Sequence, residues 1–241
     1  MKLTFLLPLT LAASVATSNA VITWTAGDQT GADFYDIANW DTSSAIPSPT
    51  DDNMVISGVT ITENSAAFSG IEIGNGFSLS LDAASFTFIN NNGFAGVDDD
   101  AATAASTGPT SVLNLSNGSF VSAQFITLGM EVFIDSSSEL VLRGGGDPIN
   151  SQLEVSYIRL SEGGKLTLPT RAEFNEQIAD TGAANSIFVN NVAVDASNID
   201  TLFTFATNGS FVTATATAVP EPSTTILAGL AGLGLVLRRR K

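Results

Sequence analysis

The sequence predicts an all-β protein, and three observations lead to that prediction. The first is composition: 44% of the 241 residues are hydrophobic and only 14% are charged. A chain of this length can bury one sizeable core. Ser, Thr, Asn, Asp and Gly dominate its polar positions and Phe, Val and Ile are frequent, a mixture that favours strands and turns over helices. The other two observations are short alternating segments and the glycine-rich corners between them.

Short segments that alternate apolar and polar residues recur through the middle of the chain, and such alternation is typical of half-buried strands. These segments are residues 71–73, 79–81, 86–88, 113–115, 125–128, 140–142, 157–160 and 166–168. Stretches rich in Gly and Asn separate them and supply the positive-φ positions that sharp corners need. These stretches are residues 74–76, 90–93, 117–118, 144–146 and 163–164.

Two longer segments, residues 70–81 and 157–168, resemble each other, because each holds two strand patterns on either side of a Gly-containing bend. Imperfect repeats of this kind favour a solenoid in which successive coils bury one another. We therefore predict a right-handed parallel β-helix for the body, residues 21–218. An antiparallel β-sandwich remains open as the alternative, since short strands and Gly corners also suit it.

The end of the body contains one short predicted helix. Thr170 and Glu173 have the spacing of a capping box, Phe174 and Ile178 share one helical face, and Gly182 would end the helix. We expect this helix and the strands predicted after it, within residues 186–194 and 202–217, to cover the open end of the coil. An uncovered strand edge would otherwise pair with other chains.

Aromatic residues cluster at the start of the body, and two interpretations of them are open. Trp24, Phe34, Tyr35 and Trp40 can plug the apolar end of the first coil. Alternatively, Trp24, Tyr35 or Trp40 could stack on sugar rings. We favour the plug.

The first 20 residues have the features of a secretory signal peptide. Lys2 precedes an apolar stretch at residues 3–11, and Ser18 and Ala20 place small residues at the positions that signal peptidase requires. We expect a signal helix that directs the chain to the secretion machinery and is removed after Ala20.

Missing residue types and net charge exclude several functions. The chain has no His and no Cys, which excludes Ser-His-Asp and Cys-His catalysis and the usual zinc, haem and iron–sulfur ligands. Between residues 21 and 237 there are 4 basic and 24 acidic residues, a formal charge of −20. Such a surface repels phosphate backbones, so we expect no nucleic-acid partner.

The C-terminal 23 residues, 219–241, combine an apolar run with a basic end. Residues 226–237 carry no charge, and with residues 219–225 the stretch would span about 28 Å as a helix, close to the thickness of a bilayer core. The anchor residues are Ile226, Leu227, Leu230, Leu233, Leu235, Val236 and Leu237. The stop-transfer residues, expected on the cytoplasmic side, are Arg238, Arg239, Arg240 and Lys241. We therefore predict a transmembrane helix that leaves the body outside.

The order of Pro220-Glu221-Pro222, the apolar run and the terminal basic cluster resembles the PEP-CTERM sorting domain of Gram-negative bacteria. The resemblance implies recognition and cleavage near Pro220-Glu221-Pro222 by exosortase. It implies a transient stay in the inner membrane with the body in the periplasm, followed by transfer to the cell surface or release. It also implies an association with extracellular polysaccharide or biofilm.

For the body we expect a non-enzymatic structural or adhesive role without a cofactor. A polysaccharide-acting enzyme and a carbohydrate-binding module on the same β-helix are the alternatives. An enzyme would need paired carboxylates, for which the candidates are Asp98, Asp99 and Asp100, or Asp51 with Asp52. The group Asp98, Asp99 and Asp100 is also the one candidate for a calcium site. We prefer to interpret it as part of a hydrated loop over residues 98–109.

Overall fold

The computed structural model describes residues 21–27, 29–32, 34–41, 53–63, 70–74, 76–96, 111–127, 129–145, 148–150, 156–179 and 187–218. The helices among them are α1 (Arg171–Ala179), α2 (Ile199–Leu202) and a 3-10 helix (Ile37–Asn39). All other regular elements there are strands, which confirms the all-β prediction. Within these ranges no helix has both the length and the apolar character needed to cross a membrane. The predicted signal helix, transmembrane helix and 98–109 loop lie outside them.

The strands form three sheets. The first sheet contains, in spatial order, β1 (Val21–Thr23), β3 (Asn53–Ser57), β6 (Ser78–Asp82), β9 (Ser111–Ser116), β12 (Met130–Ile134), β15 (Tyr157–Leu160), β17 (Ile187–Val189) and β18 (Val192–Ala193). The second contains β2 (Gln29–Ala32), β4 (Thr60–Glu63), β7 (Ser85–Phe88), β10 (Phe120–Ala123), β13 (Glu139–Leu142), β16 (Lys165–Leu168), β20 (Phe211–Ala216) and β19 (Phe203–Asn208). The third contains β5 (Gly70–Ile73), β8 (Gly93–Gly96), β11 (Ile126–Thr127) and β14 (Ile149–Asn150).

From β1 to β17 consecutive strands along the chain lie in different sheets, and from β3 to β13 each strand pairs with the strand three places later. Four successive three-strand units, beginning at β3, β6, β9 and β12, therefore lie side by side. Of the 17 strand pairings between described residues, 14 are parallel. An antiparallel sandwich requires antiparallel neighbours, so the sandwich alternative is wrong for these strands.

The register of the pairings aligns equivalent residues of successive units in rows. In the first sheet Leu81, Leu115, Ile134 and Leu160 are register partners, each at most 2% exposed. Burial of one such side chain contributes about 1.5–3 kcal/mol relative to leaving it in water. Rows of this kind run through the whole interior, so each unit is stabilised mainly by the units on either side of it.

All eight segments predicted as strands contain strand residues, and in the 125–128 segment the described strand is Ile126–Thr127. The predicted corners at residues 74–76, 117–118 and 163–164 each contain a residue with positive φ. Gly93 differs, because it lies inside β8 rather than at a corner. A methyl group added there would lie 2.1 Å from the carbonyl oxygen of Phe125. Glycine is therefore required at residue 93 by the close approach of two backbones.

The aromatic cluster near the start of the body is buried. Trp24 and Trp40 are each 4% exposed and Phe34 is 1% exposed. The Trp40 ring packs edge-on against both of the others, with centroids 5.1 Å apart in each case. The indole nitrogens donate to the carbonyls of Gly27 (3.0 Å) and Phe34 (2.8 Å). The plug interpretation is confirmed, and sugar stacking on Trp24 or Trp40 is wrong; Tyr35 is half-buried against the same cluster.

The other end of the body departs from parallel pairing. Strand β20 pairs antiparallel with β16, and β18 pairs antiparallel with β17. The predicted helix is α1: the amide of Glu173 donates to Oγ1 of Thr170 (3.1 Å), and Phe174 is fully buried. Gly182, the predicted helix end, lies outside the described residues. Helix α1 lies between β16 and β17 in the chain, and the strands predicted within residues 186–194 and 202–217 are present as β17 to β20.

Replacing Gly93 with Ala should destabilise the protein by about 1–3 kcal/mol, because the new methyl group overlaps the Phe125 carbonyl. The matched control is Gly145→Ala, since no atom lies within 4 Å of a methyl group at that position. The control should change stability by no more than about 0.5 kcal/mol. Urea unfolding followed by circular dichroism measures both. Equal midpoints for the two variants would contradict the close approach.

Candidate functional site: a polar groove on the first sheet

An open groove of about 440 Å³ lies at the carboxyl ends of the central strands of the first sheet. It extends across β9, β12 and β15 to the turn between β17 and β18. The lining residues are Asn114, Leu115, Ser116, Phe133, Ile134, Asp135, Arg159, Leu160, Ser161, Asn190 and Asn191. Leu115, Ile134 and Leu160 belong to the core, so the surface chemistry of the groove comes from the other eight residues.

Strand alternation and register together place a row of outward side chains across this face of the sheet, and three of them, Asn114, Phe133 and Arg159, line the groove. Ser80, Asn114, Phe133, Arg159 and Phe188 are successive register partners on β6, β9, β12, β15 and β17. Because neighbouring residues of a strand point to opposite faces, all five lie on the face away from the core. Asn114 donates from Nδ2 to Oγ of Ser80 (3.1 Å). The Phe133 side chain is among the few large apolar ones that are exposed, at 39%.

Hydrogen bonds between side chains connect the strand ends beside the groove. The Asp82 carboxylate accepts from Oγ of Ser57 (3.4 Å), Oγ of Ser116 (3.2 Å) and Nδ2 of Asn117 (2.5 Å). The Asp135 carboxylate accepts from the amide of Asn117 (2.7 Å). Asn117 therefore donates to both carboxylates. Together these hydrogen bonds form a ladder that connects β3, β6, β9 and β12.

Asp135 is the carboxylate that lines the groove, and hydrogen bonds from neighbouring residues engage both of its oxygens. One oxygen accepts from the amide (2.9 Å) and the hydroxyl (3.0 Å) of Ser137, and the other accepts from Asn117. Burial acts to raise the pKa of Asp135, but hydrogen bonds from Ser138, Ser137 and Asn117 outweigh burial and lower that pKa below its ordinary value. The carboxylate is therefore ionised at neutral pH and holds no proton to donate.

The cation in the groove, Arg159, is neutralised and held in place by its neighbours. Its Nε forms an ion pair with the Glu131 carboxylate. Its guanidinium carbon lies 4.5 Å from the ring centroid of Phe188 and 5.4 Å from that of Tyr157. Those two rings meet edge-on with centroids 5.5 Å apart. Stacking and pairing of this kind immobilise a guanidinium without leaving net positive charge.

A tight turn closes one end of the groove. Val189 and Val192 are antiparallel partners, so Asn190 and Asn191 form a two-residue hairpin turn. Both residues have positive φ, 47° and 65°, which is the geometry of a type I′ turn. Their side chains are exposed and form no hydrogen bond with any described residue. Asparagine tolerates this backbone and adds two carboxamides at the edge of the groove.

The structure does not describe the site residues predicted from the sequence. These residues outside the described ranges are the sorting motif at 220–222, the anchor at 226–237, the stop-transfer cluster at 238–241, and the acidic groups at 98–100 and 51–52. Their placement therefore remains a prediction. Within the described ranges, no group of three or more acidic residues is arranged to hold a metal ion.

Sequence reasoning did not single out the groove, although two signals for it exist. The pattern of β12 places Phe133 at a position where alternation calls for a polar residue, which marks an exposed ring. The sequence Val189-Asn190-Asn191-Val192 is a two-residue hairpin signal. Neither signal shows which strands are neighbours, and that information comes only from the register of the sheet.

The described fold is an all-β body that ends with β20, two residues before the C-terminal segment of contrasting composition. The chain is thus of the class with a β-rich body and a separate C-terminal signal. Comparison with protein-family models matches residues 218–241 to the PEP-CTERM protein-sorting motif. The chain thus carries a PEP-CTERM sorting motif, which confirms the resemblance noted in the sequence and implies export to the cell surface through exosortase. Neither the curated proteins nor the solved structures contain a match to this chain.

The hydrogen bonds of Asp135 predict a specific response to pH. Asp135→Asn should destabilise the protein at pH 7 by about 1 kcal/mol, because an amide group cannot accept from both Asn117 and Ser137. Since the pKa is lowered by folding, the contribution of Asp135 is present above its unfolded pKa of about 3.9 and is lost as the pH falls below it. The stability difference between wild type and variant should therefore shrink below about pH 4.

The control for this prediction is Glu162→Gln, which replaces an exposed acid that forms no hydrogen bond with the described residues. Urea unfolding from pH 3 to pH 7 should give a nearly constant, small difference for the control. A stability difference between wild type and Asp135→Asn that does not change with pH would contradict the hydrogen-bonding role assigned to the ionised Asp135.

Proposed function

We propose that this protein is a non-enzymatic component of the cell surface or extracellular matrix, with a right-handed parallel β-helix as its body. The observation that carries the proposal is the position of the sorting motif. The last strand among the described residues, β20, ends at Ala216, and the motif begins at residue 218. Cleavage near Pro220-Glu221-Pro222 would therefore remove the tail and leave every described strand of the body in place.

The strand order supports the β-helix. Parallel strands of one sheet must be joined by crossovers, and from β3 to β16 each crossover passes through strands of the other two sheets. Crossovers between parallel strands are right-handed in nearly all proteins. A coil of this kind, with an aromatic plug at one end and antiparallel strands at the other, buries its apolar core without disulfides, since the chain has no Cys.

The state of the carboxylates supports a passive role over catalysis. Glycoside hydrolysis needs one carboxylic acid that holds a proton at working pH and a second, free carboxylate facing the same groove. Among the described residues that line the groove, Asp135 is the carboxylate, and it is held ionised by hydrogen bonds. Asp82, its neighbour through Asn117, accepts three hydrogen bonds from the ladder. These groups join strands of successive units.

Net charge supports a location in a hydrated matrix. With a formal charge of −20 over residues 21–237, copies of the body repel one another and hold water and counter-ions around them. The proposed route begins with the signal peptide of residues 1–20 and signal peptidase. It continues through the inner membrane, where the 226–237 helix holds the chain with its body in the periplasm. Exosortase then releases the body to the surface, where extracellular polysaccharide is the expected neighbour.

Replacing Pro220, Glu221 and Pro222 with alanines should keep the tail attached, because the proposed cleavage signal is lost. Most of the variant should then remain in the membrane fraction, whereas the wild-type body is recovered at the surface or in the medium. Mass spectrometry of the mature protein from each fraction identifies both termini. The matched control replaces Ser223 and Thr224 with alanines, which keeps the tripeptide and the apolar run.

The expected wild-type termini are residue 21 at the start and a residue near 220 at the end. Unchanged processing and release of the triple-alanine variant would contradict sorting through this motif. Recovery of the wild-type body with its tail intact would contradict it as well.

A further inference from the structure

We propose that the groove on the first sheet binds a neutral saccharide chain. The inference rests on the proposed function, because the cell surface is where the protein would meet such a chain. It adds a binding activity to the structural role proposed for the body. It is carried by the size of the groove, its hydrogen-bonding groups, its exposed phenyl ring and its charge balance.

The dimensions suit an oligosaccharide. A volume of about 440 Å³ lies within the range of about 300–1,000 Å³ typical of small-molecule sites. The groove crosses β9, β12 and β15, which follow one another at about 4.8 Å in a sheet. This repeat is close to the length of one hexose unit in an extended chain. Successive sugar units can therefore meet equivalent positions on successive strands.

The chemistry of the lining suits a polyhydroxylated ligand. Ser161, Asn190 and Asn191 present a hydroxyl and two carboxamides that form no hydrogen bond with the described residues. Each carboxamide both donates and accepts, as sugar hydroxyls do. Phe133 adds an exposed apolar ring in the same groove, against which the C–H face of a pyranose can pack. Groove sites that recognise small ligands combine apolar surface with a few convergent polar groups in this way.

The charges in and around the groove favour a neutral saccharide chain. Arg159 is the lining cation, and Glu131 neutralises it. Asp135 contributes a negative charge at the other side of the groove. An acidic saccharide would find no uncompensated cation here and would approach a body of formal charge −20. A cationic ligand would compete with the hydrogen bonds that already engage both oxygens of Asp135.

The turn at residues 190–191 provides a variant that separates binding from folding. Glycine satisfies the positive φ of both positions without a side chain. Replacing Asn190 and Asn191 with Gly therefore removes both carboxamides and keeps the hairpin. Phe133→Ala removes the ring from an exposed position, and Ile89→Ala is its control, since Ile89 is 48% exposed and does not line the groove.

The experiment is isothermal titration of the full chain in a detergent without a sugar headgroup. The probes are maltohexaose, cellohexaose and laminarihexaose, with the hexamer of galacturonic acid as the acidic probe. At least one neutral hexasaccharide should bind. Asn190→Gly with Asn191→Gly, and separately Phe133→Ala, should each weaken that binding about tenfold, while Ile89→Ala leaves it unchanged. Thermal unfolding of each variant checks that the fold is retained.

Three outcomes would overturn the proposal: no heat with any neutral probe at about 1 mM, unchanged affinity in both groove variants, or tighter binding of the acidic hexamer. These measurements use purified protein, so they are independent of sorting. Failure to bind leaves export through the C-terminal motif intact, and failure of processing in cells leaves the binding result intact.

Discussion

The structure depends on one constraint, the fixed register by which a strand pairs in parallel with the strand three places later. Because side chains alternate along a strand, this register decides at once which residues enter the core and which form the outer face. A slip of one residue at β12 would bring Phe133 inward and turn Ile134 toward water. The buried row from Leu81 to Leu160 and the outward row from Ser80 to Phe188 are two results of the same pairing.

Parallel pairing alone leaves both ends of the body without a neighbouring strand. A stack of strands exposes apolar residues and unpaired backbone at both ends, and either would promote association. At the first end Trp24, Phe34 and Trp40 bury one another and satisfy both indole nitrogens. At the other end β18 and β20 reverse direction and Phe174 of α1 fills the core. The sorting motif follows in the sequence, two residues after the end of β20.

Local features were predictable from the sequence because their causes are local. Alternation located strands such as β6 and β15, the capping box located α1, and the end of the chain revealed the sorting motif. The groove was not predictable, because Asn114, Phe133 and Arg159 are far apart in sequence and become neighbours only through strand register. Gly93 shows the same limit: its sequence context suggests a corner, whereas the contact that requires glycine comes from Phe125 in the next unit.

The most direct test of the register is disulfide formation between introduced cysteines, since the chain has none of its own. Ser80 and Asn114 are outward register partners on β6 and β9. At about 4.8 Å between paired strands, their Cα atoms lie within the range of disulfides. Ser80→Cys with Asn114→Cys should oxidise to one disulfide, detected by peptide mass spectrometry, whereas Ser80→Cys with Phe133→Cys, two strands apart, should stay reduced. A disulfide in the second variant but not in the first would contradict the parallel register.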